Sequence, residues 1–210
     1  MLFGYIVAVA IQVVTRAISY DSQVPFDEAL LMIVANQNLY LTSMYSGLVA
    51  NSLLVVLAAG LYSIFAINQV HLARVGACLL LGAAIVSLMS SGAGLAVAAL
   101  IQEFTGEQLR PGSALISTMA VESIREAFGR IGFTLSALGV IALGTLIAWS
   151  GTLPRWLGWL GIAAGISMFF IWVETATTIH RLGGAGYLLW LAIMGGWLVV
   201  RGTRHESASA

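Results

Sequence analysis

One carboxylate inside an apolar run is the residue of this chain best placed for chemistry. Glu174 directly follows the apolar residues Phe169–Val173. Placing a charged side chain at the centre of a bilayer costs about 2.5–3.5 kcal/mol on insertion scales, so such residues are commonly retained for binding or proton transfer. Glu174 is therefore our first candidate for a titrating or ligand-binding group.

Polar residues at three other ends of apolar runs are predicted to reach the depth of Glu174. Arg16 ends the first run, Arg130 begins the fourth and Gln102 ends the third, all on the same side of the predicted membrane. Two interpretations of this group remain open. It would be either a structural ion-pair cluster that closes one end of a helix bundle, or a ligand or proton site that opens to that side.

Three further residues complete the candidate set. Arg181 lies about two helical turns beyond Glu174 and on the same face if that helix continues, and His180 directly precedes it. Asn51 lies near the middle of the second apolar run. A side-chain amide at such a depth most often joins two helices by a hydrogen bond.

The residue types that are missing exclude several chemistries. The chain has 9 arginines and no lysine, so neither a retinal nor a pyridoxal Schiff base can form. His71, His180 and His205 fall in a loop, near a helix end and in the tail, whereas a bis-histidine haem needs ligands that face each other inside a bundle. No metal-ligand spacing and no phosphate-binding glycine motif occurs. We expect no metal, no cofactor, no nucleic-acid partner and no enzymatic activity.

The elements that position these residues are long apolar runs. Hydrophobic residues make up 60% of the chain and charged residues 9%, against about 25% charged residues in a soluble domain. Hydrocarbon offers no hydrogen-bond partners, so a spanning segment must be a helix or part of a closed barrel, and barrel strands would alternate polar and apolar residues. Continuous runs of about 17–30 residues predict helices. The predicted spans are Leu2–Ile18, Leu39–Ile67, Leu72–Gln102, Phe128–Trp149, Trp156–Thr178 and Gly184–Val200.

These runs predict an all-α fold, a polytopic bundle of six transmembrane helices that forms one domain over residues 1–210. Arg155, Arg201 and Arg204 lie in a short loop and the tail on one face. The positive-inside rule then predicts that both termini are cytoplasmic. The use of arginine without lysine resembles that of a G+C-rich bacterial genome, so we expect a bacterial cytoplasmic (inner) membrane.

Small residues recur at a spacing that suits close helix packing. Gly161 and Gly165 form a G-x-x-x-G motif in the fifth run, which leaves a bare patch on one helix face. Two uses of this patch remain open: packing within the bundle, or contact with a second copy in a homodimer. Membrane lipid and a larger membrane complex are the other expected partners.

An amphipathic segment precedes the fourth run. Over Ser113–Gly129, Ile116 and other apolar residues recur at helical spacing, with Glu122, Arg125 and Glu126 on the opposite side. This pattern predicts a helix that lies along the membrane interface, with its charges in water. Its role would be a solvated lid or a gate over the polar group.

Two stretches carry a family resemblance. The sequence SGTLPRWLGWLG at Ser150–Gly161 resembles the loop and helix start of the bacterial DUF4386 integral membrane proteins. The run from Tyr40 to Leu61 and Tyr62 is similar to the second span of that family. The resemblance implies a multi-helix membrane fold of similar length. It implies no catalytic residue, because the family has no assigned activity.

Two functional classes follow from the sequence. The first is a non-enzymatic accessory protein or a binder of a small lipophilic ligand, which the absence of a catalytic constellation favours. The second is a small transporter or proton-coupled permease with Glu174 as its titrating group. A water-accessible cavity that reaches Glu174 would favour transport, and a dry ion pair there would favour the first class.

Overall fold

A computed structural model describes residues 1–20, 24, 26–67, 69–106, 113–151, 153–173 and 177–208. This part of the chain is helical and contains no strand. A short 3-10 helix, Phe169–Trp172, continues the sixth α-helix. The α-helices are α1 Leu2–Ser19, α2 Phe26–Ala35, α3 Gln37–Phe65, α4 Val70–Gly106, α5 Ser113–Ser150, α6 Arg155–Met168 and α7 Thr177–Ala208.

Within the described residues, five helical segments are long and apolar enough to cross a membrane. Large apolar side chains such as Val13, Leu31 and Trp159 are exposed on the outer surface, as expected where lipid is the solvent. These segments indicate a multi-pass membrane protein. The predicted sixth span falls within α7, which is not among the five. The five segments are Leu2–Ser19, Gln37–Phe65, Val70–Ile101, Ile116–Ser150 and Arg155–Trp172.

Helix α2 occupies a segment that the sequence pattern leaves as a loop. Ala29 and Ile33 of α2 are buried, whereas Leu31 is exposed, so the helix covers the end of the bundle with one face. Its 10 residues extend only about 15 Å at 1.5 Å per residue. A search for spans therefore misses it.

Helix α5 is one continuous helix from Ser113 to Ser150. The predicted separation of an interface helix from a span that begins at Phe128 is wrong. No proline interrupts the sequence between Ser113 and Ser150, so the helical hydrogen bonds can continue from the amphipathic part into the apolar part.

The fifth predicted span is shorter than the sequence suggests. Helix α6 ends at Met168, the 3-10 helix ends at Trp172, and Val173 is extended. The next described residue is Thr177, where α7 begins. Arg181 therefore lies on α7 and not on a continuation of the fifth span.

Glycines allow the backbones of α5 and α6 to touch. A Cβ atom added at Gly158 would lie 2.5 Å from the Ala148 nitrogen and 2.6 Å from the Gly144 carbonyl oxygen. No side chain fits in such a gap, so the helices approach as closely as their main chains allow. We call the contact of Gly144, Gly158 and Gly165 the glycine seam.

The G-x-x-x-G motif is used within the same chain. A Cβ atom at Gly161 would lie 2.7 Å from Nε1 of Trp190 on α7, and one at Gly165 would lie 2.8 Å from the Ala137 carbonyl oxygen on α5. Trp190 is fully buried and its indole N–H donates to the Leu157 carbonyl at 2.8 Å. The motif is therefore used for packing within the bundle, and the homodimer stays a prediction.

Candidate functional site

A buried ion pair lies near the start of α5. The Arg125 guanidinium donates to both carboxylate oxygens of Glu122, with Nε at 2.6 Å from Oε2 and the second bond between Nη2 and Oε1. Arg125 is 1% exposed and Glu122 3%. Residues three apart are neighbours on one helix face, and the two-pronged geometry gives both charges a partner away from water.

Three further side chains extend this pair towards α1. The Tyr20 hydroxyl donates to Oε1 of Glu126 at 3.1 Å, and Glu126 lies 4.0 Å from the Arg125 guanidinium. The guanidinium carbons of Arg125 and Arg16 lie 5.2 Å and 5.5 Å from the centre of the Tyr20 ring, within the range of cation–π attraction. We call Arg16, Tyr20, Glu122, Arg125 and Glu126 the ionic cluster.

Neighbouring helices leave room for the long Arg125 side chain. At Gly94 of α4, an added Cβ atom would lie 3.2 Å from Cδ of Arg125 and would overlap Sδ of Met44. The Ser90 hydroxyl donates to the Arg125 carbonyl at 2.7 Å. A glycine and a serine on α4 therefore let α5 bring its charged face inward.

An open cleft of about 190 Å³ lies between α2, the end of α1 and the start of α5. Its lining combines the acids Glu122 and Glu126 of α5 with the apolar residues Val24, Ala29 and Met119. Glu126 is the more accessible acid, with 31% of its side chain exposed. The lining residues are Tyr20, Val24, Ala29, Met119, Glu122, Ser123 and Glu126.

The surroundings of Tyr20 keep its phenol protonated. Burial, followed by the negative charges of Glu122 and Glu126, raises the pKa of Tyr20 well above its ordinary value. Tyr20 therefore acts as a hydrogen-bond donor to Glu126 throughout the physiological pH range. The Glu126 carboxylate in the cleft is therefore oriented by the hydrogen bond from the Tyr20 hydroxyl.

The structure brings one of the predicted arginines into this cluster. Arg16 lies in the last turn of α1 and contacts Tyr20. Arg130 is half-buried further along α5, where its carbonyl accepts a hydrogen bond from Thr134. Arg181 is exposed on α7, and no described contact joins Arg130 or Arg181 to the ionic cluster.

The other predicted site residues contribute no described contact to the cluster. Asn51 donates to the Gly47 carbonyl of its own helix at 2.8 Å, so its described hydrogen bond does not join two helices. Gln102 and His180 lie in α4 and α7, but their side chains are outside the described part of the structure. Glu174 also lies outside the described residues.

The sequence pattern indicates the charged face of α5, but the prediction that this face lies in water is wrong. The structure buries Glu122 and Arg125 and exposes Ile116, Met119 and Ile124. The segment is therefore not a solvated lid. In lipid, the apolar face of a helix turns outward, and its charged side chains pair with other groups inside the bundle. The spacing Glu122-x-x-Arg125-Glu126 indicates such self-pairing once the solvent is taken as lipid.

A comparison with family models shows which family this chain belongs to. The model described as "Domain of unknown function (DUF4386)" matches residues 1–202. The chain belongs to the DUF4386 family. This confirms the resemblance seen at Ser150–Gly161. Comparisons with curated proteins and with solved structures returned no match. The ionic cluster and the cleft of this DUF4386 protein both lie inside the matched region.

The chemistry available at this site is binding through charge and hydrogen bonds. Among the described residues, no group of three or more histidine, cysteine, aspartate or glutamate side chains is arranged to hold a metal ion. In this DUF4386 chain, Glu126 can accept hydrogen bonds from a ligand, and the apolar lining residues of the cleft can contact a hydrocarbon group.

Proposed function

We propose that this DUF4386 protein is a non-enzymatic membrane protein that binds a small amphiphilic ligand in the cleft between α2 and α5. The observation that carries the proposal is that an accessible carboxylate, Glu126, lines the same cleft as the apolar residues Val24, Ala29 and Met119. These apolar residues would contact a hydrocarbon chain, and Glu126 would accept from a cationic or hydrogen-bond-donating head group.

The proposal includes a bacterial cytoplasmic membrane, six spans and cytoplasmic termini. The sixth span is the apolar run Gly184–Val200 of α7. Support comes from Tyr187 and Trp190, which are buried inside the bundle. An even number of spans leaves both termini on the side of Arg155, in agreement with the positive-inside rule.

Dodecylammonium is a suitable probe, with dodecanol as the uncharged probe of equal chain length. We expect dodecylammonium to raise the melting temperature of the purified full-length chain, because a ligand that binds only the folded state stabilises it by mass action. Glu126→Gln should weaken the apparent affinity about tenfold, as expected for the loss of a charged hydrogen bond. Ser123→Leu should block the cleft with no change in charge.

The matched control is Glu28→Gln, because Glu28 is an exposed acid on α2 outside the cleft lining. Its response to dodecylammonium should equal that of the unaltered protein. Equal affinities in the Glu126 and Glu28 variants, or an equal response to dodecanol, would contradict the proposal.

Proton flux into proteoliposomes distinguishes binding from the permease alternative. A binder should give no flux above that of protein-free vesicles, with or without dodecylammonium. Flux that Glu174→Gln abolishes would instead identify a permease.

A further inference from the structure

Three buried polar atoms lack hydrogen-bond partners in the described part of the chain. They are Oγ of Ser19, Nε2 of Gln37 and the hydroxyl oxygen of Tyr40. Ser19 and Tyr40 are 0% exposed. Buried polar groups are nearly always paired in folded proteins, so such groups call for a partner or a ligand.

All three atoms lie along one contact between α1 and α3. Gly4 packs near Leu53, and the Ser43 hydroxyl donates to the Gln12 carbonyl at 3.2 Å. These contacts show that the two helices run antiparallel. One turn beyond Gln12 on α1 therefore faces one turn before Ser43 on α3.

The register places the unpartnered groups next to an arginine. By this register Arg16, one turn after Gln12, is level with Tyr40, and Ser19 is level with Gln37 a further turn along. The Tyr40 hydroxyl is within electrostatic range of Arg16, and also of the paired Glu122 and Arg125. We call Arg16, Ser19, Gln37 and Tyr40 the donor seam.

Arg16 makes no ion pair among the described residues, since both described ion pairs use Arg125. The negative charge of Glu122 acts on Arg16 from a greater distance, and the direct contact of Arg16 is with the Tyr20 ring. Arg16 is half-buried in a helix long and apolar enough to cross a membrane. A positive charge at this position is stabilised more by an anion at hydrogen-bond distance than by an aromatic ring or a remote carboxylate.

The side chains of the donor seam share the ability to donate hydrogen bonds. A guanidinium and an amide N–H donate, and two hydroxyl groups can donate when an acceptor is available. None of its members carries a negative charge. An open cleft of about 400 Å³ at the α2–α3 corner is lined by residues 34–39, which include Gln37 of the donor seam.

We propose that the donor seam binds an oxyanion, either a free anion or the carboxylate or phosphate head of an amphiphile. The Arg16 guanidinium pairs with two oxygens of the anion, and the hydroxyls of Ser19 and Tyr40 and the amide of Gln37 donate to it. The donor seam shares Arg16 with the ionic cluster, but none of its four residues lines the cleft at Glu126.

Inorganic phosphate and decanoate distinguish the two sources of the anion. We expect at least one of them to raise the melting temperature of the full-length protein in a neutral detergent. A response to both identifies a site for free oxyanions, and a response to decanoate alone identifies an amphiphile head group. Arg16→Gln should weaken the apparent affinity tenfold or more, and Tyr40→Phe about fivefold, as expected for charged and neutral hydrogen bonds.

Arg130→Gln is the matched control, because it removes a half-buried arginine of α5 that is outside the donor seam. It should retain the full response, as should Glu126→Gln, which tests the other site. Tyr40→Phe keeps the aromatic ring and so tests the seam even if Arg16→Gln does not fold. The proposal is overturned if neither anion stabilises the unaltered protein, or if the Arg16, Tyr40 and Arg130 variants respond equally.

Discussion

The ionic cluster and the glycine seam fill the inside of the bundle by opposite means. At the glycine seam the backbones of α5 and α6 touch, and a Cβ atom at Gly158 would lie 2.5 Å from a main-chain nitrogen. At the ionic cluster the buried side chains of Arg125 and Tyr20 fill the space between helices. Where backbones meet, glycine gives van der Waals contact. Where long polar side chains lie between helices, they need hydrogen-bond or charge partners inside the bundle.

The glycine seam and the ionic cluster also differ in what they can contribute, the first to stability and the second to binding. The described glycine contacts are formed within the chain and offer no group to a ligand. The ionic cluster borders an open cleft and carries a partly exposed carboxylate, Glu126. Binding is therefore expected at the end of the bundle that carries the ionic cluster and its cleft, and rigidity is expected at the glycine seam.

The largest expected effect is the loss of one partner of the ion pair. Glu122→Gln should lower the free energy of unfolding by about 3–5 kcal/mol, because it removes the two-pronged partner of the buried Arg125 guanidinium and leaves only the more distant Glu126 as a counter-charge. Unfolding by sodium dodecyl sulfate in mixed micelles measures this loss. The double variant Glu122→Leu with Arg125→Met should recover most of it.

Glu28→Gln is the control for this experiment, since Glu28 is exposed and should tolerate the change. If Glu122→Gln is as stable as Glu28→Gln, the pair contributes nothing to the fold, and the contrast between the two regions fails.

A smaller loss is expected at the glycine seam. Gly158→Ala should cost about 1–3 kcal/mol, as overpacking of a close contact usually does, because the Gly144 carbonyl and the Ala148 nitrogen are main-chain atoms that cannot rotate away. The same unfolding assay applies. Gly60→Ala is the matched control, because nothing lies within 4 Å of the added Cβ. A neutral Gly158→Ala would show that α6 can shift.

The smallest effect is a dependence on alkaline pH. The pKa of Tyr20 is raised in the folded protein, whereas a tyrosine in the unfolded chain ionises near pH 10. The folded state then binds more protons, so stability is complete below about pH 10 and falls as the pH rises above it. Tyr20→Phe should show a smaller decrease in melting temperature between about pH 9 and pH 11 than the unaltered protein.

Tyr45→Phe serves as the comparison, since Tyr45 is exposed on α3. It should leave the alkaline decrease unchanged. An identical decrease in the Tyr20 and Tyr45 variants would remove Tyr20 as its cause and weaken the assigned hydrogen bond to Glu126.

Much of the fold could be predicted because the bilayer imposes simple rules. The continuous apolar runs predicted the all-α architecture, and the observed helices match the predicted segments with shifts at their ends, except that the fifth predicted span is interrupted at Val173. Helix α2 was missed because it is too short to span. The extent of α5 was missed because its amphipathic part looked like a separate interface helix.

The candidate site was predicted less well. Arg16 was identified from its depth alone, and the structure places it in both the ionic cluster and the donor seam. Glu122, Arg125 and Glu126 were noted as a charged face but assigned to water. Sequence periodicity separates an apolar face from a polar face of a helix. It does not show which of the two is buried, because that depends on the neighbouring helices.

The sequence by itself determined the solvent, the helical class and the regions where backbones can touch, because composition, run length and glycine spacing act locally along the chain. The tertiary structure alone decided which charges meet and which polar groups are left without partners. Those outcomes depend on the register of α1 against α3 and on the rotation of α5 about its axis. Both are set by contacts between segments far apart in the chain.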